Sequence, residues 1–433
     1  SNFFLIMKKN HYSLLTDSAK YAITKVLPGI VGLISVILIV KIVGAEEYGK
    51  YSIVYSFILT LTAFCGGWLN QALLRYYPGN NDIKKIENRA ILGLLLSAVC
   101  GLFILLGIYF IQIYNFFEYI SIPLAIFFFI AVLFYQFQIS IYRSQIRPNM
   151  VIVVSSIQSI LSLIIPLFFI YYFGSEVKYI IIGLTIAYLG STIKNIFFKS
   201  LSLKNIFKYK EKSNSILFEL FKFGWPLSIW LTVSLALQFF DRFFISYYYD
   251  YTLTGVYAGF YDLVVRIFSI LIFPITMAVH PRMMSLWNKS HHSDAISIWK
   301  MAMLIQIFIF SCICIIVQLF FEEISFCLIW IFSDLNPQYF HLLMPLLIGG
   351  FIWQFALLIH KPIELNQKTH FMLISIAISL IVNLCGNIIF LPKYGLIITA
   401  YTFILSGVVY IISSSILSFS FYKTLFIRRD PII

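Results

Sequence analysis

Twelve long apolar runs, separated by short polar breaks, fill almost the whole chain, at residues 21–43, 51–77, 89–113, 119–142, 150–173, 178–198, 218–247, 253–280, 298–320, 338–360, 369–391 and 395–421. A helix that crosses a bilayer needs about 20 mostly apolar residues, and every run meets that length. Backbone groups in lipid must be satisfied within helices or a closed barrel. A barrel alternates apolar and polar residues over about ten positions, which stretches such as Ile91-Leu92-Gly93-Leu94-Leu95-Leu96 do not do. The spacing therefore predicts an all-α polytopic membrane protein with twelve transmembrane helices. Charged residues make up only 11% of the chain, against about 25% in soluble domains, so no water-soluble fold can cover itself with them.

Basic residues set the orientation. With the breaks taken alternately, 25 of the 31 Lys and Arg fall on one side and four (Lys41, Lys50, Lys178 and Lys393) on the other. Arg242 and Arg266 lie inside runs. Both termini are expected in the cytoplasm. The net charge of +13 follows from this asymmetry and from attraction to anionic lipid head groups. No soluble basic surface is left over for nucleic acid.

The longest break on the basic side, 199–217, divides the runs six and six. It predicts an N-terminal six-helix lobe (1–198), a cytoplasmic linker (199–217) and a C-terminal six-helix lobe (218–433). A weak repeat accompanies this division. Gly49-Lys50-Tyr51 through Tyr55 and Gly255-Val256-Tyr257 through Tyr261 both read G-x-Y-x-x-x-Y after a run with an internal proline, Pro28 or Pro226. Both halves start on the cytoplasmic side, so the repeat is parallel, and parallel two-half transporters hold substrate between the halves. The tyrosines also suit an interfacial aromatic belt. The prolines, with Pro274 and Pro345, suit either tolerated kinks or hinges. Met7-Lys8-Lys9 looks like a natural start, with Ser1 to Ile6 as an artefact before it.

Motifs for chemistry are few. Gly44-Ala45-Glu46-Glu47-Tyr48-Gly49-Lys50 matches the first seven positions of a phosphate-binding loop, but Tyr51 stands where Ser or Thr should reach magnesium. Two glutamates would also repel phosphate. No ATP hydrolysis is expected, and the chain is read as a non-enzyme. His291-His292 sits in a solvated break, and the six cysteines show no metal-ligand spacing. No cofactor, metal or disulfide is expected. The outer break at 321–337 is too short to build much of an active site.

Ionisable groups at membrane depth are costly and mark function. Asp241-Arg242 lies in the seventh run; Asp262 and Arg266 lie in the eighth, at i and i+4 on one helix face. At about 1.5 Å per residue from Gly255, Arg266 falls about 16 Å deep, near mid-bilayer. These four could close into an internal ion-pair cluster. Alternatively Arg266 meets an anionic substrate, since its planar fork matches phosphate. Lys25, one turn inside the first run, either snorkels to the surface or lines a cytoplasmic entrance. The first six runs carry no carboxylate at mid-depth, which disfavours a proton-driven drug antiporter.

The segment Leu38-Ile39-Val40-Lys41-Ile42-Val43-Gly44-Ala45-Glu46-Glu47-Tyr48-Gly49-Lys50-Tyr51 resembles the first outer loop of the bacterial polysaccharide flippases. These are the Wzx-type proteins, in the polysaccharide biosynthesis branch of the multidrug/oligosaccharidyl-lipid/polysaccharide (MOP) superfamily. Asp241-Arg242-Phe243-Phe244 followed by Gly255-Val256-Tyr257 resembles the same family's second-half signature. The likeness covers essentially the whole chain. It implies a MATE-like bundle of two lobes around a water-filled cavity. It also implies translocation of an undecaprenyl-pyrophosphate-linked oligosaccharide, an O-antigen or other surface repeat unit, across the bacterial inner membrane by alternating access. Arg266 fits the side chain that meets pyrophosphate, and Asp241, Arg242 and Asp262 fit its supporting network. Partners implied are the lipid-linked oligosaccharide, membrane lipids, a polysaccharide polymerase and a chain-length regulator. Competing readings are a MATE-like ion-coupled multidrug antiporter and a membrane polymerase; the latter would want a long outer loop rich in Arg and His.

Overall fold

The computed structural model describes residues 2–77, 83–111, 115–192, 214–333, 336–366 and 368–427; for residues 2–25, 83–84, 115–116, 214–215, 288, 369 and 419–427 only the backbone is described. Among these residues the secondary structure is entirely helical. The helices are α1 (Asn2–Tyr76), α2 (Ile83–Ile111), α3 (Ile122–Ser144), α4 (Pro148–Phe173), α5 (Val177–Thr192), α6 (Asn214–Tyr248), α7 (Tyr251–Leu271), α8 (Phe273–Asn288), α9 (His292–Leu319), α10 (Phe321–Ile331), α11 (Leu343–Ile359), α12 (Lys361–Leu365), α13 (Thr369–Tyr394) and α14 (Ile397–Ile427). Ten described segments are long and apolar enough to cross a membrane. One, Val26–Tyr76, is 51 residues long and contains two helices that meet at Gly44, where φ is 81° and ψ is 170°. Glycine is suited to this junction because it alone adopts positive φ without a Cβ penalty. Val177–Thr192 is a shorter apolar helix.

Two elements depart from the apolar-run reading. The run at 253–280 is not one helix: α7 stops at Leu271 and α8 starts at Phe273. Pro274 lies in the first turn of α8; its missing N–H suits a helix start and not a helix interior. The break at 321–337 contains α10, with Glu322 and Glu323 in its first turn, where carboxylates favour the helix dipole. By contrast, helix geometry continues through Pro28 in α1 and Pro226 in α6.

The chain gathers into two compact units: Leu38–Ala258, and Ser1–Ile37 with Gly259–Ile433. We call them the middle and terminal units. Their borders fall within α1 and α7, so the grouping cuts the chain elsewhere than at the expected halves, 1–198 and 218–433. The linker expected at 199–217 lies, up to residue 213, outside the described residues.

In the middle unit, α5 packs against α3 and α4. Phe128, Phe129, Ile180 and Ile181 are fully buried there. Lipid is as apolar as these side chains, so association rests on close packing and small residues. Two glycines bring α1 and α7 close together. A Cβ on Gly49 would overlap the carbonyl oxygen of Tyr251, and one on Gly255 would overlap that of Ala45. Each glycine of the repeat therefore meets the residue four places before its counterpart, a reciprocal contact of the kind found across a twofold axis. In the terminal unit α14 packs along α13 and α11. Ser375, Ser379, Asn383 and Asn387 form a fully buried polar ladder at four-residue spacing on α13, one face of a helix.

Candidate functional site

The segment that imitates a phosphate-binding loop follows the bend at Gly44. Lys50 Nζ lies 2.7 Å from Glu46 Oε1 and 2.8 Å from Glu47 Oε1, and sits over the rings of Tyr119 and Tyr251. The other Glu47 oxygen accepts the backbone N–H of Val177 at 2.9 Å, holding the start of α5. The lysine is thus neutralised by adjacent carboxylates, and the segment serves packing of the middle unit. The repeat tyrosine Tyr257 is buried. The Tyr55 and Tyr188 hydroxyls lie 3.2 Å apart. Tyr257 and Tyr188 are packed within the protein, and each hydroxyl has the partner that a buried tyrosine usually finds.

Asp241 and Arg242 lie near the end of α6 in the middle unit, 0% and 1% exposed. Tyr257 donates its hydroxyl to Asp241 Oδ2 at 2.8 Å. Arg242 donates from Nη1 to the Ser52 carbonyl at 3.5 Å, and its guanidinium lies 4.9 Å from the Phe239 ring centre. Buried charges persist only with such partners. Both side chains are enclosed by protein, which suits a supporting role.

Asp262 and Arg266 lie on α7 in the terminal unit, and both are half-buried. Arg266 rests against α1. A Cβ placed on Gly32 would stand 2.8 Å from Arg266 Cζ and Nε and 2.9 Å from Nη1. One turn earlier, a Cβ on Gly29 would stand 2.7 Å from Ile270 Cγ1 and 2.9 Å from Ser269 Oγ. Two glycines at three-residue spacing thus bring α1 and α7 together around the arginine head, as small residues do between membrane helices. Of the five residues predicted for the site, Lys25 falls where side chains are not described. Asp241 and Arg242 belong to one unit, Asp262 and Arg266 to the other.

A further polar cluster, not singled out by the sequence, lies in the terminal unit. Glu364 of α12 takes Lys361 Nζ on Oε2 at 2.6 Å and His360 Nε2 on Oε1 at 3.1 Å. His280 Nδ1 of α8 is 3.5 Å from Oε2, and Tyr410 of α14 pairs with His360 Nδ1 at 2.9 Å. The spacing His360-Lys361-x-x-Glu364 around Pro362 is a local signal; the contributions of His280 and Tyr410 come from far along the chain. Among the described residues no group of three or more His, Cys, Asp or Glu is arranged to hold a metal.

Helices of this length and apolarity define a multi-pass membrane protein. Its fold is that of the MATE transporters. The chain superposes on a multidrug resistance MATE family transporter of the MOP superfamily, described in an inward-facing conformation, with a TM-score of 0.71 at 14% identity over 94% of this chain and 99% of that one. A MOP superfamily transporter from Pyrococcus furiosus, described as having a binding pocket of reversed polarity, gives 0.60 at 17% identity over 95% and 97%. A MATE in a bent conformation gives 0.61 at 14% identity over 95% and 98%. At such identities the likeness is one of fold. No curated protein sequence matches the chain. Residues 14–287 match the family described as polysaccharide biosynthesis protein, and the chain belongs to that family.

Proposed function

We propose that the protein is a flippase that carries an undecaprenyl-pyrophosphate-linked oligosaccharide from the inner to the outer leaflet of the bacterial cytoplasmic membrane. It would do so without hydrolysing ATP, by alternating access between two six-helix lobes, with both termini in the cytoplasm. Membership of the polysaccharide biosynthesis family on a transporter fold supports this reading. Twelve crossings result if the two helices that meet at Gly44 and the short helix Val177–Thr192 are each counted as spans.

The observation that carries the site is Arg266, a half-buried cation on a membrane-depth helix. A charge kept there at several kcal/mol of cost marks a substrate path. In the proposal its guanidinium takes the pyrophosphate while the lipid tail stays in the bilayer. Asp262, one turn away, would hold the arginine between cycles, and Asp241 and Arg242 would brace the adjoining helix from within the protein. Lys25 would attract the head group at the cytoplasmic entrance. A polysaccharide polymerase and a chain-length regulator would use the delivered repeat units.

The test is export of surface polysaccharide in cells that depend on this protein. Arg266→Ala is expected to abolish export while the protein remains folded and inserted. Normal export by that variant removes Arg266 from the mechanism. The fold neighbours favour a second reading, an ion-coupled multidrug antiporter. Drug efflux from the same cells, with no effect on polysaccharide, would select it.

A further inference from the structure

Gly32 lies in unbroken helix, where alanine would serve the backbone better. Its effect lies across the interface. The point that a Cβ would occupy is almost equidistant from Arg266 Cζ, Nε and Nη1, at 2.8, 2.8 and 2.9 Å. Such near-equality puts the point over the face of the guanidinium, since a point at the edge would lie closer to the nitrogens. The five N–H donors of an arginine lie in its plane, so face contact occupies none of them.

We propose that Gly32 is a positioning residue of the anion site. It seats the face of the Arg266 guanidinium and so fixes the plane in which the N–H fork meets a pyrophosphate diester. The inference rests on the flippase reading above. Bidentate pairing with phosphate oxygens depends on that plane, and a head group already held in place loses less freedom when the substrate arrives. Ser269 donates its hydroxyl to the Arg266 carbonyl at 2.7 Å, and Gly29 seats Ser269 and Ile270. Both glycines therefore hold the same stretch of α7, but of the two only Gly32 meets the charged head. A methyl group at Gly32 collides with the mobile end of a side chain, not with backbone. Gly32→Ala should consequently turn the guanidinium aside while leaving the helix pair together.

The experiment measures flipping of a short-chain polyprenyl-pyrophosphate oligosaccharide in proteoliposomes, together with the melting temperature in detergent. Gly32→Ala is expected to slow flipping about tenfold, the loss of one well-oriented contact. In an Arg266→Lys chain the same change is expected to slow it no further, because an ammonium presents no face to collide with. Gly29→Ala is the control, with equal effects in both backgrounds. If Gly32→Ala slows flipping, or lowers the melting temperature, equally in the parent and in the Arg266→Lys chain, the glycine is a packing residue and the seat is overturned. Native flipping by Gly32→Ala, alongside a dead Arg266→Ala protein, also overturns the seat but leaves the flippase reading standing. Native flipping by Arg266→Ala removes Arg266 from the mechanism, and the seat with it, while absence of flipping by the parent chain defeats the flippase reading itself.

Discussion

The hydroxyl of Tyr257 donates to Oδ2 of Asp241 at 2.8 Å, and both residues are sealed from solvent. This bond ties the end of α6 to the start of α7. It also partners a carboxylate that would otherwise be costly to bury.

Replacing Tyr257 by Phe leaves the ring and removes the donor. The variant is expected to lose about 1–3 kcal/mol, the range for an unsatisfied buried acceptor. Chemical unfolding in detergent measures the loss. Asp241→Asn should soften it, because a neutral amide needs less compensation. A Tyr257→Phe protein as stable as the parent would show that other groups already satisfy Asp241.

Glu364 receives Lys361, His360 and His280 from three directions. Lys361 and His360 are buried beside it. Glu364→Gln would leave Lys361 buried next to a neutral amide, at an expected cost of about 3–5 kcal/mol for breaking a buried pair. Combining it with Lys361→Met should recover most of that loss. The readout is the yield of monodisperse protein and its melting temperature; an unchanged melting temperature for the single variant refutes the assignment.

At Gly255 an added methyl group would meet backbone, the Ala45 carbonyl, and no rotamer can relieve the overlap. Gly255→Ala and Gly49→Ala should each destabilise by about 1–3 kcal/mol through overpacking. The double variant should cost less than the two losses together, since one separation of the helices relieves both collisions. Strict additivity would mean that the two positions do not share a contact.

Gly44 tests the bend in α1. At φ of 81° and ψ of 170° an alanine carries strain of about 1–3 kcal/mol. Gly44→Ala should lower the melting temperature through the backbone alone, because nothing lies within 4 Å of an added Cβ. A rise in melting temperature would argue that the residue is helical in solution.

How far the sequence reveals this architecture depends on the range of the interaction. Apolar run length places the membrane helices, because lipid imposes its demand segment by segment. The break at Ile272 follows from Pro274, yet the apolar run passes smoothly across it and masks the boundary. α10 is hidden for a similar reason: Phe321–Ile331 is too short to span and reads as a connection. Asp241, Arg242, Asp262 and Arg266 stand out in the sequence because charge is rare within apolar runs. Gly32 does not, since a glycine in an apolar run carries no sign of what will lie against it. Nor does Tyr410, whose partner His360 is fifty residues away. Burial also separates side chains that sequence does not, enclosing Arg242 and leaving Arg266 half-buried.

The reciprocal meeting of Gly49 with Tyr251 and of Gly255 with Ala45 has a bearing on ancestry. Self-matching surfaces of this kind arise when two identical chains pair. A gene of half the length, duplicated and fused, would carry the same glycine into both copies. Neither could later acquire a side chain without forcing apart the helices that its twin requires. The two positions are thus where a duplicated half-length chain would have least freedom to change.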